Sequence, residues 1–142
     1  MSYKNTFIKV SPDCPVTSSI VPQYNRGSKP VHVIQYELLS REPYRYTHEQ
    51  LLFEVHIRHK NIPAEELEKN RQQIWNALFS KSHACLRASQ LPKKYGFGIH
   101  YDAEGRIAIY GMETPEYERF VQSSEIALLN GMRSRREQAS WL

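Results

Sequence analysis

Apolar and polar positions change their period near the middle of this chain, and that change divides it into two textures. Val31, Ile34, Tyr36, Leu38 and Leu39 form an apolar side after Ser28 and Pro30, predicting a first helix that ends at Glu42-Pro43. Thr47, with Gln50 three residues on, reads as a capping box. The segment behind it, Leu51 to Ile57, alternates like a strand, and the cap decides for helix. A third helix opens at Pro63, carries Glu65, Glu66 and Glu68 where the helix dipole favours acid, and continues past Trp75. Leu67, Ile74, Trp75, Leu78 and Phe79 recur at helical spacing and are expected to face the core.

Beyond Lys81 the pattern shortens. Ala84–Ala88, Gly96–Tyr101 and Arg106–Tyr110 read as strands, the last two joined by a turn with Gly105 at a position suited to positive φ. Thr114-Pro115 opens a final helix, expected to reach about Leu129 before Asn130-Gly131. Asn5–Val10 has strand character at the other end. The predicted class is α+β: a helical N-terminal half, a small antiparallel meander, and a C-terminal helix packed on the sheet.

Residues 12–30 hold Pro12, Pro15, Pro22 and Pro30 with little periodicity, predicting a long loop anchored by Val16, Ile20, Val21 and Tyr24. Residues 132–142 form a basic tail with Arg133, Arg135 and Arg136, ending in Trp141-Leu142, a pair suited to docking on the domain or on a second copy. One domain over 1–142 is expected at this length.

Composition fits a soluble globular protein, with 40% hydrophobic and 24% charged residues. No apolar run approaches the roughly 18 residues a membrane span needs, and no secretory signal opens the chain, so a cytoplasmic location is expected. Two cysteines in such a setting predict free thiols. His56 and His59 share a helix face, but the glutamate of a zinc-protease motif is missing and both flanks are basic. No metal or cofactor is expected.

The net charge of +4 is unevenly distributed. Ser80–His100 carries four cations, two His, Cys85 and a Gly-Phe-Gly run with no acidic residue. Concentrated cations beside a flexible backbone suit an anionic partner, either a small molecule or nucleic acid. The candidate set is Arg87, Lys93, Lys94, Tyr95, Gly96, Gly98 and His100. On strands, Gly96, Gly98 and His100 would share a bare face, and Cys85 and Arg87 another. The plainer reading is that the glycines accommodate bulky neighbours and the lysines are solvated. An alternative function is a small enzyme with His100 as acid or base and Arg87 orienting an anionic substrate. Cys85, and after it Cys14, is a possible reactive thiol, although small buried cysteines are commoner. Tyr44, Tyr46, Tyr95, Tyr101, Tyr110 and Tyr117 would stack bases or line core edges. A homodimer through the tail and long loop is a third expectation.

The blocks Asp13-Cys14-Pro15, Tyr44-Arg-Tyr-Thr47, Phe79 to Ser89, Leu91 to His100, Asp102-Ala-Glu-Gly105 and Met132 to Arg136 carry a resemblance over nearly the whole chain. It is to a family of small, mostly bacterial cytosolic proteins grouped as a domain of unknown function. That resemblance implies no activity, cofactor or catalytic residue. In layout alone, the chain is similar to the small α+β proteins of the MmcQ/YjbR-like group, which implies a double-wing, DNA-binding type of fold and fixes no function.

Overall fold

The structure, a computed structural model, describes residues 3–24 and 27–134. Strand β1 (Thr6–Lys9) is followed by irregular segments over 10–24 and 27–30, then helices α1 (Val31–Arg41), α2 (His48–His59) and α3 (Ala64–Phe79). A single 3₁₀ turn (Leu86–Ala88) and a short helix α4 (Gln90–Lys94) precede strands β2 (Phe97–Tyr101) and β3 (Ile107–Gly111). Helix α5 (Pro115–Gln122) and strand β4 (Ala127–Asn130) complete the order. The class is α+β, as the sequence predicts.

The sheet is not a meander. Its order is β3-β2-β1-β4, with β1 antiparallel to β2 and parallel to β4. The N-terminal strand is therefore central. Register separates the two faces: Ile8, Ile99 and Ile109 stand in one row, Phe7, His100 and Ala108 in the next. The isoleucine face meets α1 and α2, where Ile34, Leu38, Leu39, Leu51 and Val55 join Phe97, Ile99, Tyr101 and Ile107 in one buried cluster. The opposite face is covered by α5: Phe120 stacks on Phe7 at 4.9 Å and Tyr117 meets the same ring edge-on at 5.1 Å.

The Thr47 box forms as predicted, with Thr47 Oγ1 accepting from Gln50 N–H and Gln50 Oε1 accepting from Thr47 N–H. At α1 the cap position is Pro30, with no side-chain cap, so Ser28 lies outside the helix it was expected to start. Gly105 takes φ +79° in the β2–β3 turn, the conformation the sequence predicts there.

Three other expectations change. Residues 84–88 form no strand, because Ser89 caps α4 by accepting from Leu91 N–H and the chain before it coils into the 3₁₀ turn. The C-terminal helix stops at Gln122; Ser123 is extended, and 127–130 pair with β1. Helix α3 has no buried residue: its apolar stripe lies half-buried, with Trp75 5.0 Å from the Phe53 ring of α2. In the 12–30 loop, Val16 is half-buried and Pro22 buried, whereas Ile20, Val21 and Tyr24 are exposed. Of the basic tail, Arg133 is exposed; Arg135, Arg136, Trp141 and Leu142 lie outside the described residues.

Candidate functional site

The span from Ser80 to His100 is distributed over separate neighbourhoods. Arg87, on the 3₁₀ turn, donates from Nε to Asn130 O at 2.8 Å, and its own carbonyl accepts from Met132 N–H. Arg87 is thereby tied to the β4 edge. Cys85 and Arg87 lie on a turn, so the strand-face argument that paired them does not hold. Lys93 and Lys94 end α4, the first half-buried and the second exposed. Tyr95 stacks on His32 of α1 at 5.1 Å.

Gly96 precedes β2 and lies under the long loop, where an added Cβ would meet Ser19 and Val16 at 3.1 Å. Gly98 is on the α5 face, and a Cβ there would fall 2.4 Å from the Phe7 ring and 2.6 Å from that of Tyr117. The space beside Gly98 is thus filled by aromatic side chains. His100 lies on the same face, stacked on Phe120 at 4.1 Å. None of the seven residues lines any of five surface clefts found among the described residues.

One of those clefts does gather cations. About 390 Å³ is enclosed by Arg45, Tyr46, Gln50, Phe53, Glu54, Arg71, Trp75 and Arg106. The three arginines come from the α1–α2 loop, from α3 and from the turn just before β3. Each is held differently. The Arg71 guanidinium lies over the Phe53 ring at 5.0 Å and that of Arg45 over Tyr46 at 5.9 Å. Arg106 donates from Nη1 to Arg45 O and from Nε to Glu104. Within the lining, Glu54 is the one carboxylate, and it pairs with Arg58 outside the cleft. Arg45 also pairs with Glu42 at 3.9 Å, and Glu42 accepts from the Tyr46 hydroxyl, so carboxylates partner two of the three guanidiniums gathered around Phe53, Tyr46 and Trp75. Guanidiniums in this arrangement can grip a phosphate or carboxylate while a planar group lies against the rings.

Histidine chemistry is present in two further places. His48, 2% exposed at the start of α2, has no hydrogen-bond partner on either ring nitrogen. Burial pushes its pKa from 6.5 down to about 4, and a charge on nearby His83 acts the same way. His83 is itself fixed by its Nε2, 2.6 Å from Leu78 O. His48 and His83 line a second cleft with Glu49, Lys81 and Ser82. His56 and His59 lie on α2 as expected. No group of three or more metal-capable side chains occurs among the described residues.

Cys14 and Cys85 are free, half-buried thiols. Among the described residues no helix is long and apolar enough to cross a membrane.

Fold and cleft together define a small α+β protein with an arginine-lined cleft beside a loosely buried helix. A family of unknown function (DUF6157) matches residues 1–137, and the chain belongs to that family. No curated protein and no solved structure matches it.

Sequence reasoning missed this cleft because Arg45, Arg71 and Arg106 lie 26 and 35 residues apart in otherwise balanced surroundings. One local signal existed: Arg45 stands between two tyrosines just before a helix cap.

Proposed function

We propose that the protein is a binding module for a small anionic ligand carrying a planar group, seated between Arg45, Arg71 and Arg106. The convergence of three guanidiniums on one aromatic-floored cleft is the observation that carries this reading. It keeps the anionic partner expected from the sequence and moves its seat away from the strand-loop face. The enzyme alternative has less support. Arg87 is tied to β4, two strands from His100 on β2, so it is not placed to orient a substrate there. Free thiols at Cys14 and Cys85 are in keeping with a cytoplasmic setting.

The test is calorimetric titration with inorganic pyrophosphate, adenosine monophosphate and a thymidine oligonucleotide. Adenosine monophosphate should bind more tightly than pyrophosphate, because the base adds stacking to the charge contacts. Arg71→Ala with Arg106→Ala should weaken that binding by at least about tenfold, or 1.4 kcal/mol, while Lys93→Ala with Lys94→Ala leaves it unchanged. Tighter binding of the oligonucleotide with a steep salt dependence would replace the small-ligand reading by a nucleic-acid one. Binding of all three probes unaffected by the arginine changes would reject the cleft.

A further inference from the structure

Strand β4 lies at the edge of the sheet and runs into the chain's single Asn-Gly pair, Asn130-Gly131. Gly131 is buried, and an added Cβ would meet Pro92 Cβ at 3.0 Å and Lys9 O and Ser11 N at 3.2 Å, which leaves little room for a larger residue. Asn130 is exposed, and its side-chain amide has no hydrogen-bond partner among the described residues. Asparagine before glycine is chemically labile, because no side chain shields the glycine nitrogen from the asparagine amide. Three hydrogen bonds bracket the pair. Gly131 N–H donates to Lys9 O at 2.8 Å, Arg87 Nε donates to Asn130 O at 2.8 Å, and Met132 N–H donates to Arg87 O at 2.8 Å. The first bond ties up the nitrogen that would react. The other two hold the pair against the 3₁₀ turn from both sides of that nitrogen without engaging it.

We propose that Asn130 is a site of spontaneous conversion to isoaspartate, gated by the Gly131–Lys9 bond and directed by Arg87. When the end of β4 leaves β1, the Gly131 amide loses its proton to solvent hydroxide and its nitrogen attacks Cγ of Asn130. A C–N bond forms, the bond from Cγ to the side-chain nitrogen breaks, and ammonia leaves with a proton from water. The product is a five-membered succinimide. Water then adds to one of its two carbonyl carbons and breaks that carbon's bond to the ring nitrogen, which takes up a proton. One water enters and one ammonia leaves, with no change of oxidation state. Addition at the side-chain carbonyl gives aspartate, and addition at the main-chain carbonyl gives isoaspartate. Arg87 Nε lies on the oxygen of that main-chain carbonyl, so the guanidinium stabilises the negative charge that water addition develops there. In isoaspartate the same oxygen belongs to a free carboxylate, and its contact with Arg87 becomes an ion pair. The main chain then carries one extra carbon before Gly131, which displaces Gly131 from the register that pairs Asn130 with Lys9.

The experiment incubates the folded full chain at neutral pH beside a sample unfolded in urea. Peptide mass spectrometry with electron-transfer fragmentation follows Asn130 and separates isoaspartate from aspartate. Asn5, Asn61, Asn70 and Asn76, followed by Thr, Ile, Arg and Ala, are the internal controls. In the folded chain Asn130 should convert about tenfold faster than any of them, yet about tenfold more slowly than in urea, the factor that 1.4 kcal/mol of local opening imposes. Its ratio of isoaspartate to aspartate should exceed that of the urea sample at least about twofold. Arg87→Ala should return the ratio to the urea value. Arg87→Gln, which removes the charge and keeps a long polar side chain, is the second variant for the case that Arg87→Ala fails to fold by circular dichroism. Conversion of Asn130 no faster than of the control asparagines, a folded rate equal to that in urea, or a ratio unchanged between the folded protein, the urea sample and the folded variants would overturn the proposal.

Discussion

The Tyr44 hydroxyl lies 2.7 Å from His100 Nδ1 and 2.8 Å from Tyr110 Oη, making a three-membered polar chain on the α5 side of the sheet. Burial and Tyr110 hold the Tyr44 pKa far above the usual phenol value, so Tyr44 keeps its proton. Burial also lowers the His100 pKa, and Asp102 opposes it only in part. With Tyr110 donating to Tyr44 and Tyr44 to Nδ1, neutral His100 carries its proton on Nε2; the reversed chain would place that proton on Nδ1. Tyr44 holds this position at φ +61°, an uncommon conformation for a bulky residue. Its N–H donates to Ile107 O at 2.8 Å, which holds the backbone there.

Tyr44→Phe should convert His100 from one tautomer to a mixture and lower stability by about 1–2 kcal/mol. Long-range ¹H–¹⁵N spectra at neutral pH would show this directly. An Nδ1–H tautomer in the unmodified protein would contradict the chain as drawn.

Acid should destabilise the fold through buried imidazoles. The pKa of His48 falls from 6.5 when unfolded to about 4 when folded, so between these values the unfolded chain binds more protons. The stability that His48 contributes by staying neutral is complete above pH 6.5 and is lost as pH falls toward 4. The loss amounts to about 3 kcal/mol at one unit of pKa per 1.36 kcal/mol. His32, His56 and His100, lowered mainly by burial, act in the same direction. His48→Leu should flatten the urea-unfolding free energy over that interval. An equally steep loss in the variant would show that His48 is not responsible.

What the sequence disclosed was mostly local. Thr47 and Gln50 interact within one turn, so the box was legible and its helix followed. Phe97 and Ile99 alternate with Gly98 and His100, so the two faces of β2 were legible too. Residues 127–130 were not, because Ala-Leu-Leu-Asn favours helix locally and only pairing with β1, more than a hundred residues earlier, makes it a strand. The same distance hid the central place of β1. The seven-residue site was drawn from neighbours in sequence, whereas the arginine cleft is assembled from three separated elements. Local crowding of charge is a weak guide to convergence in space.

Gly98→Ala should be costly despite adding one methyl group. The new Cβ would overlap the rings of Phe7 and Tyr117, which are packed between the sheet and α5. Overpacking of this kind costs about 1–3 kcal/mol, and the α5 face would have to shift to relieve it. A thermal midpoint within a degree or so of the unmodified protein would mean that α5 yields freely.

Thr47→Ala should remove the cap hydrogen bond to Gln50 N–H and cost about 1 kcal/mol. Because the residues that follow also alternate like a strand, the cap carries more of the helix specification here than in a strongly amphipathic segment. Urea unfolding of the variant, with the slope against denaturant unchanged, would establish the effect. A midpoint equal to that of the parent protein would show that packing of Leu51 and Val55 alone holds α2.

Helix α3 should open well before the sheet. None of its sixteen residues is buried, Asn70 departs from helical geometry in its middle, and Trp75 and Arg71 both rest on the single Phe53 ring of α2. Strand β2, by contrast, is flanked by two strands and holds fully buried Ile99 and Tyr101. Local opening free energies follow such differences in burial. Amide exchange read by mass spectrometry should be faster over 64–79 than over 97–101, and Trp75→Ala should speed the first segment without affecting the second. Because α3 supplies Arg71 and Trp75 to the cleft, a bound anion should slow exchange there before anywhere else. Protection over 64–79 equal to that of β2 would make the helix a rigid wall rather than a movable one.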